Sequence, residues 1–394
     1  MNENQLLVVC DAYRNFQKDS IDCVSSSFKN VFVTIRYNPI AAVSNYITVP
    51  SLKVHTLASK IDIRDKPLNV HLYPTPIFYL PTNSQYKKLG EKYYNEVIKV
   101  IKKKDLQFDI VHSHFIWSAG YVGAKLKEEY NVPFVVTAHG YDIYDLPFKD
   151  YEWRSKIEYV LDSADAIITV SKSNLEYIKK LNVKTPVTVL PNGYREKLFH
   201  PIDKHECRKL LGLPTGKKIV LSVGNLEDVK GHKYLVEAME YIVQKRKDVI
   251  CLIVGNGKLE KMLKKQIKLA GLLDYVKLVG AKPHSEIPLW MNACDCFALP
   301  SLNEGNPTVM FECLGCGKPF IGTNVGGIPE IIISNDYGLL CKPARSRELA
   351  KNLLFGLNCN WNTDFITEYS SQFCWSVISE KICKIYGSVA KISK

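Results

Sequence analysis

Short apolar runs rich in Val, Ile and Leu alternate along the chain with longer stretches whose apolar positions recur at helical spacing. That alternation predicts parallel sheets covered by helices, an α/β fold. In the first half the expected strands are Leu6–Cys10, Val31–Ile35, Asp109–Val111, Phe134–Thr137 and Ala166–Val170. Tyr86–Lys103 reads as a helix joining two of them, with Leu89, Tyr93, Val97 and Val100 near one face. In the second half the expected strands are Ile219–Val223, Val249–Val254, Val276–Val279, Cys294–Leu299 and Phe320–Gly322. Between the two series, Leu190–Pro214 carries Pro191, Asn192, Gly193, Pro201 and Pro214, a density of breakers that marks a hinge. A chain of 394 residues also exceeds one ordinary core. Two domains follow, residues 1–195 and 196–372.

Open parallel sheets bind ligands beyond the carboxyl ends of their strands. In the second half those ends are small, polar or charged. The first is followed by Asn225 and Lys230-Gly231, the second by Gly255-Asn256-Gly257 and the third by Gly280. The fourth leads into Pro300–Pro307 and the fifth into Gly326-Gly327. Five such ends in succession point to one ligand cleft.

Composition narrows the class. The chain is 46% apolar and 23% charged, as a globular protein is, and no apolar run reaches membrane-spanning length. The opening MNENQLLVVCD lacks the basic and apolar regions of a signal peptide, so a cytoplasmic location is expected. The twelve cysteines fit it. Cys10, Cys251, Cys294 and Cys296 sit inside apolar runs, and Cys313-x-x-Cys316 has no partner pair at zinc spacing. The formal charge of +12 suggests nucleic acid, but the basic residues are scattered and no nucleic-acid-binding motif accompanies them. One segment is denser, with Lys87, Lys88, Lys92, Lys99, Lys102, Lys103 and Lys104 against Glu91 and Glu96. Its simpler reading is a solvated helix face. Its sharper reading is peripheral contact with an anionic membrane or lipid carrier at the inner membrane face.

The chemistry concentrates between Pro300 and Ile332. Asn306 suits an N-cap and Pro307 the first helical position, which would leave the amides of Thr308, Val309 and Met310 pointing out. Such a terminus attracts phosphate through its donors and its dipole. Glu304 precedes the helix and Glu312 falls in its second turn. Carboxylates beside bound phosphate would repel it, so they fit better as acceptors from neutral hydroxyls on a ribose and a sugar flanking a diphosphate. Lys230 supplies the cation.

This segment resembles the EX7E region of retaining GT-B glycosyltransferases, specifically glycosyltransferase family 4. VLPNG (189–193), VKGH (229–232), VGNG (254–257) and VGGIPEI (325–331) agree, and the likeness covers about residues 105–390. It implies two Rossmann-like domains facing a central cleft, with FCWSVISEKICKIY (373–386) resembling a closing helix that returns residues 373–394 to the first domain. It further implies transfer of a hexose from a UDP- or GDP-sugar to a hydroxyl on a saccharide or lipid-linked acceptor, with retention, in polysaccharide or glycolipid synthesis. By the same likeness Lys230 contacts the donor diphosphate, Glu312 holds the ribose, and Glu304 lies against the transferred sugar. The segment Gly305, Asn306, Pro307 and Thr308 lies around phosphate and sugar, with the amides of all but Pro307 as donors. His139, in TAHGYD, matches the histidine that faces the reacting sugar across the cleft, and Asp142 belongs to the same loop.

The chain departs from the family pattern in three places. An arginine expected beside the diphosphate is Asn225, the first loop has no glycine from Asp11 to Lys29, and an aspartate of the GDG turn is Asn256. No D-x-D is present, so no cofactor or metal is expected beyond the nucleotide-sugar co-substrate. Other readings are a nicotinamide dehydrogenase, a sugar-nucleotide epimerase or phosphorylase, and a non-catalytic partner subunit. The dehydrogenase is weakened because Gly255-x-Gly257 is followed by Glu260 where a third glycine belongs.

Overall fold

The structure is a computed structural model that describes residues 3–41, 56–80 and 82–392. The first two and last two residues of the expected first domain lie outside that set. Two compact units form, Met1–Pro191 with Trp375–Lys394, and Asn192–Cys374. The sequence-based break after 195 thus lies four residues beyond the observed one, and the expected return at 373 lies two residues before it.

The first unit holds a seven-stranded parallel sheet. Its strands are β1 (Gln5–Cys10), β2 (Asn30–Tyr37), β3 (Val70–Pro76), β4 (Ile110–His114), β5 (Phe134–Ala138), β6 (Ala166–Thr169) and β7 (Val187–Val189). They lie in the order β3-β2-β1-β4-β5-β6-β7. Both faces are covered, so the central strands read as unbroken apolar runs. Leu7 and Val9 enter one core, while Leu6, Val8 and Cys10 enter the other. The helix Trp375–Ile392 covers the second face with Trp375, Ile378, Ile382, Tyr386 and Val389, a stripe at three- and four-residue spacing, and packs on the helix Asn15–Ser25.

The second unit repeats the scheme with β8 (Lys218–Val223), β9 (Val249–Val254), β10 (Val276–Gly280), β11 (Cys296–Leu299), β12 (Phe320–Thr323) and β13 (Gly338–Cys341). All are parallel, in the order β10-β9-β8-β11-β12-β13. In each sheet the order reverses direction once, between β1 and β4 and between β8 and β11. Those switch points are where a doubly wound sheet opens a crevice at its carboxyl edge.

Three strands were not expected from the sequence: β3, β7 and β13. All are edge strands. Two prolines interrupt VHLYPTP in β3, which only an edge tolerates. The expected Tyr86–Lys103 helix is two helices, Asn83–Lys87, capped by the Thr82 hydroxyl, and Leu89–Lys104. The strand expected from Cys294 starts at Cys296, since Cys294 still caps the preceding helix. Of the dense basic segment, Lys87 pairs with Asp150 and Glu152, Lys92 bonds Gln85, and Lys99 pairs with Glu96. Lys88, Lys102, Lys103 and Lys104 remain exposed. The cysteines are free thiols, with Cys313 and Cys316 buried in the second core. No helix among the described residues is long and apolar enough to cross a membrane.

Candidate functional site

At the switch point of the second sheet, the loops after successive strands interlock backbone to backbone. Leu302 donates to the Val229 carbonyl at 2.7 Å, Leu226 to Asn256 at 2.8 Å, and Gly327 to Gly305 at 3.0 Å. Two glycines make the closeness possible. A Cβ on Gly231 (φ +65°) would lie 2.0 Å from the Pro300 carbonyl oxygen, and one on Gly326 (φ +53°) would lie 1.6 Å from that of Glu304. Asn225, Lys230, Glu304 and Glu312 are thereby held on one framework.

Lys230 and Glu304 meet directly. The Lys230 ammonium donates to Glu304 Oε1 at 2.6 Å, and the Ser301 hydroxyl donates to the same oxygen at 2.7 Å. Beneath them His232 opens the helix His232–Lys245, fully buried. Burial first, then the Lys230 charge, pulls its pKa down to about 4, so it is neutral. Asn225 is exposed, and its side chain makes no hydrogen bond among the described residues.

The helix after Glu304 runs Thr308–Gly315, and here two expectations are corrected. Its N-cap is Pro307, not Asn306, and no side chain caps it. Asn306 is instead turned away and buried. Its Oδ1 accepts from the Asn192 amide at 2.8 Å, and its carbonyl accepts from the Asn192 side chain at 2.8 Å. Asn192, in the VLPNG motif, thus fixes the loop rather than a ligand. The Met310 amide is spent on the Pro307 carbonyl at 3.1 Å. The amides of Thr308 and Val309 have no acceptor among the described residues, which leaves a two-donor, positively polarised terminus beside Gly305.

Glu312 is buried, with Oε1 accepting from His284 Nε2 at 2.9 Å. His284 stands in the turn after β10, its ring 5.2 Å from that of Phe199. It was missed in the sequence, although it follows a strand end as Lys230 and Glu304 do. A carboxylate fixed through one oxygen presents the other for a hydroxyl, and no proton transfer is needed of it.

In the first unit, His139 directly follows β5, with Gly140 next at φ +147°. Its Nε2 lies 3.1 Å from His114 Nδ1, the rings nearly coplanar at 17°. His112, also on β4, is bonded by Nδ1 to the Tyr386 hydroxyl at 2.6 Å and by Nε2 to Thr137 at 2.8 Å. Burial holds His114 at about 4 and keeps His112 and His139 well below the usual histidine range, aided by their mutual proximity. The three rings are therefore neutral. His114 and His139 share one proton, so the tautomer of His114 decides whether His139 Nδ1, buried without a partner, donates or accepts. Asp142 does not join them. It accepts from the amides of Ile116 at 2.7 Å and Gly140 at 2.9 Å, and so pins the His139 turn to the end of β4. Burial pushes its carboxyl up to about 6, against those amide bonds.

Two family models match the chain, Glycosyltransferase Family 4 over residues 52–197 and Glycosyl transferases group 1 over residues 203–370. TuaC of Bacillus subtilis, a glycosyltransferase named for teichuronic acid biosynthesis, is 30% identical over 274 residues, 69% of this chain and 67% of TuaC. The fold is similar to that of the sucrose-phosphate synthase of Thermosynechococcus elongatus, at a TM-score of 0.77 and 19% identity over 98% of this chain and 99% of that one. It is also similar to Anabaena HepE in complex with UDP-glucose, at 0.73 and 20% identity over 98% and 100%.

Proposed function

Because this chain belongs to glycosyltransferase family 4, and is a glycosyltransferase of the group 1 type with the GT-B fold, we propose that it moves a hexose from a UDP- or GDP-sugar to a hydroxyl acceptor with retention. The setting proposed is synthesis of a cell-surface polysaccharide or glycolipid. The observation that carries the donor side is the meeting of Lys230 and Glu304 beside the uncapped start of the Thr308 helix, at the switch point of the second sheet. Fixed donors aimed at a leaving diphosphate stabilise the charge that develops on it without reorganisation. Lys230 and the amides of Thr308 and Val309 are given that role, with no metal or cofactor required. Glu312, steadied by His284, takes the ribose hydroxyls, and Glu304 takes a hydroxyl of the transferred sugar.

The complex of HepE with UDP-glucose favours a uridine donor, and the name of TuaC favours a polysaccharide acceptor. Retention follows the family resemblance. A nucleotide-sugar substrate suits a cytoplasmic site of action, with Lys88, Lys102, Lys103 and Lys104 free for anionic lipid. Equal sedimentation with anionic and neutral liposomes would remove that last contact. The main test is a hydrolysis screen over UDP-, GDP- and ADP-sugars, followed by NMR of the anomeric proton in the released sugar or product. One UDP- or GDP-hexose consumed with retention is expected, and consumption of none would overturn the reading.

A further inference from the structure

At the carboxyl edge of the first sheet, ion pairs hold Arg36, Lys18 and Arg64 but not every cation. Asp11, just past β1, is gripped by Arg36 at 2.5 and 2.6 Å. Asp22 is taken by Lys18 at 2.5 Å and by the Tyr13 hydroxyl. Asp62 is taken by Arg64 at 2.6 Å. Arg14 and Lys60 are left without an ion pair among the described residues. They are nonetheless drawn together, because residues 59–62 are strapped to the β1 loop. Tyr13 donates to the Lys60 carbonyl at 2.8 Å, Asp62 to the Tyr13 carbonyl at 2.8 Å, and the Arg14 guanidinium to the Ser59 carbonyl at 2.6 Å.

Each cation is incompletely satisfied. Arg14 spends one of its five N–H donors on that carbonyl. Lys60 is half-buried, and burial lowers its pKa despite the nearby Asp11. An ammonium that has lost water and gained no ion pair is stabilised by an incoming anion. The helix Asn15–Ser25 starts alongside, with Arg14 as its N-cap, no side-chain cap bond and no acidic residue in its first turn. The Phe16 ring, in that turn, lies 4.9 Å from the ring of His139. Arg14 therefore sits on the loop that adjoins His139, at the β1–β4 switch point, with the Lys60 segment strapped to it.

We infer that Arg14 and Lys60 form an oxyanion site that receives a phosphate or carboxylate group of the acceptor, so that the acceptor of this enzyme is anionic. The inference rests on the glycosyl-transfer reading, with the first unit taking the acceptor. It also gives the glycine-free stretch from Asp11 to Lys29 a purpose, since side chains rather than close backbone approach meet the ligand there.

The test titrates inorganic phosphate and, separately, glucuronate into the full chain by calorimetry at low salt. Wild type, Arg14→Gln/Lys60→Gln and Lys60→Arg are compared, UDP being titrated into each first so that the donor phosphate site is filled before the anion is added. Wild type with UDP bound should take one of the two anions, and whichever binds names the group. The double glutamine variant should lose at least about tenfold, as loss of charge-assisted hydrogen bonds implies, and keep its UDP affinity. Lys60→Arg should stay within about threefold of wild type, which shows that charge and not folding is responsible. No anion binding by UDP-bound wild type, or an undiminished double variant, would each overturn the site. Failure of the donor reading would show separately, as wild type that does not bind UDP.

Discussion

Lys230 and Glu304 face each other at 2.6 Å, yet the proposed function asks the first to hold a diphosphate and the second a sugar hydroxyl. A diphosphate that reaches Lys230 must share its ammonium with a carboxylate and approach that carboxylate as well. Glu304→Gln isolates this competition, because the amide keeps the shape and can still accept from Ser301. The pair is partly buried, with side chains 23% and 9% exposed, so it lies above the exposed-pair range of about 0–1 kcal/mol. At about 6 Å and an effective dielectric of 20, one unit of charge on the diphosphate is repelled by about 3 kcal/mol before salt screening. Half of that surviving would tighten UDP binding about tenfold. Transfer should fall, since a charge-assisted bond to the sugar is lost, worth about 1.5–3 kcal/mol or roughly ten- to hundredfold in kcat/KM. Calorimetry of UDP at fixed ionic strength, paired with turnover, measures both. UDP affinity that is unchanged or weaker in Glu304→Gln would refute Lys230 as the diphosphate cation.

Three further outcomes are expected. His284→Ala frees the buried Glu312 carboxylate and should weaken UDP about three- to tenfold, while His284→Gln, which can still donate at the Nε2 position, should recover most of it; equal affinity in all three proteins would remove His284 as a positioning residue. Tyr386→Phe leaves His112 Nδ1 buried and unpaired, and should lower stability by about 1–3 kcal/mol in urea unfolding; an unshifted midpoint would show that the bond carries no net weight. The neutral histidines also set a pH dependence. With His114 at 6.5 in the unfolded chain and about 4 when folded, its stabilisation is complete above pH 6.5 and is lost as pH falls toward 4. That is about 1.4 kcal/mol per pH unit from His114, and up to roughly 4 with His112 and His139 shifted the same way, so a urea series between pH 7 and 5 with a slope under 1 would contradict neutral imidazoles.

The residues that the sequence reveals and those that it hides differ in a physical way. Interior strands such as β1, β5, β8 and β9 are buried on both faces, and their sequences QLLVVC, FVVTA, KIVLSV and VICLIV say so without reference to any neighbour. The strands β3, β7 and β13 lie at edges, where one side meets solvent and the apolar run thins to VHLYPTP, VTV or GLLC. Lys230 and Glu304 stand out because a charge just past a strand end has few structural reasons to be there, and Glu312 because it is a carboxylate inside an otherwise apolar helix. Their pairings do not. Lys230 reaches Glu304 across 74 positions, His284 reaches Glu312 across 28, and Asn192 reaches Asn306 across 114. Local periodicity reports which face of an element is buried. It carries nothing about which loop an edge of one strand meets on the next, and that depends on the order in which the whole sheet assembles. The reassignment of Asn306 shows the consequence. Asn-Pro before a helix is a good local capping signal, but a side chain with one carbonyl oxygen has to serve either the helix or the distant amide, and the amide of Asn192 is the one brought within 2.8 Å. What the local rule lost, the site gained, because a terminus left without its own cap keeps two amides open for an anion.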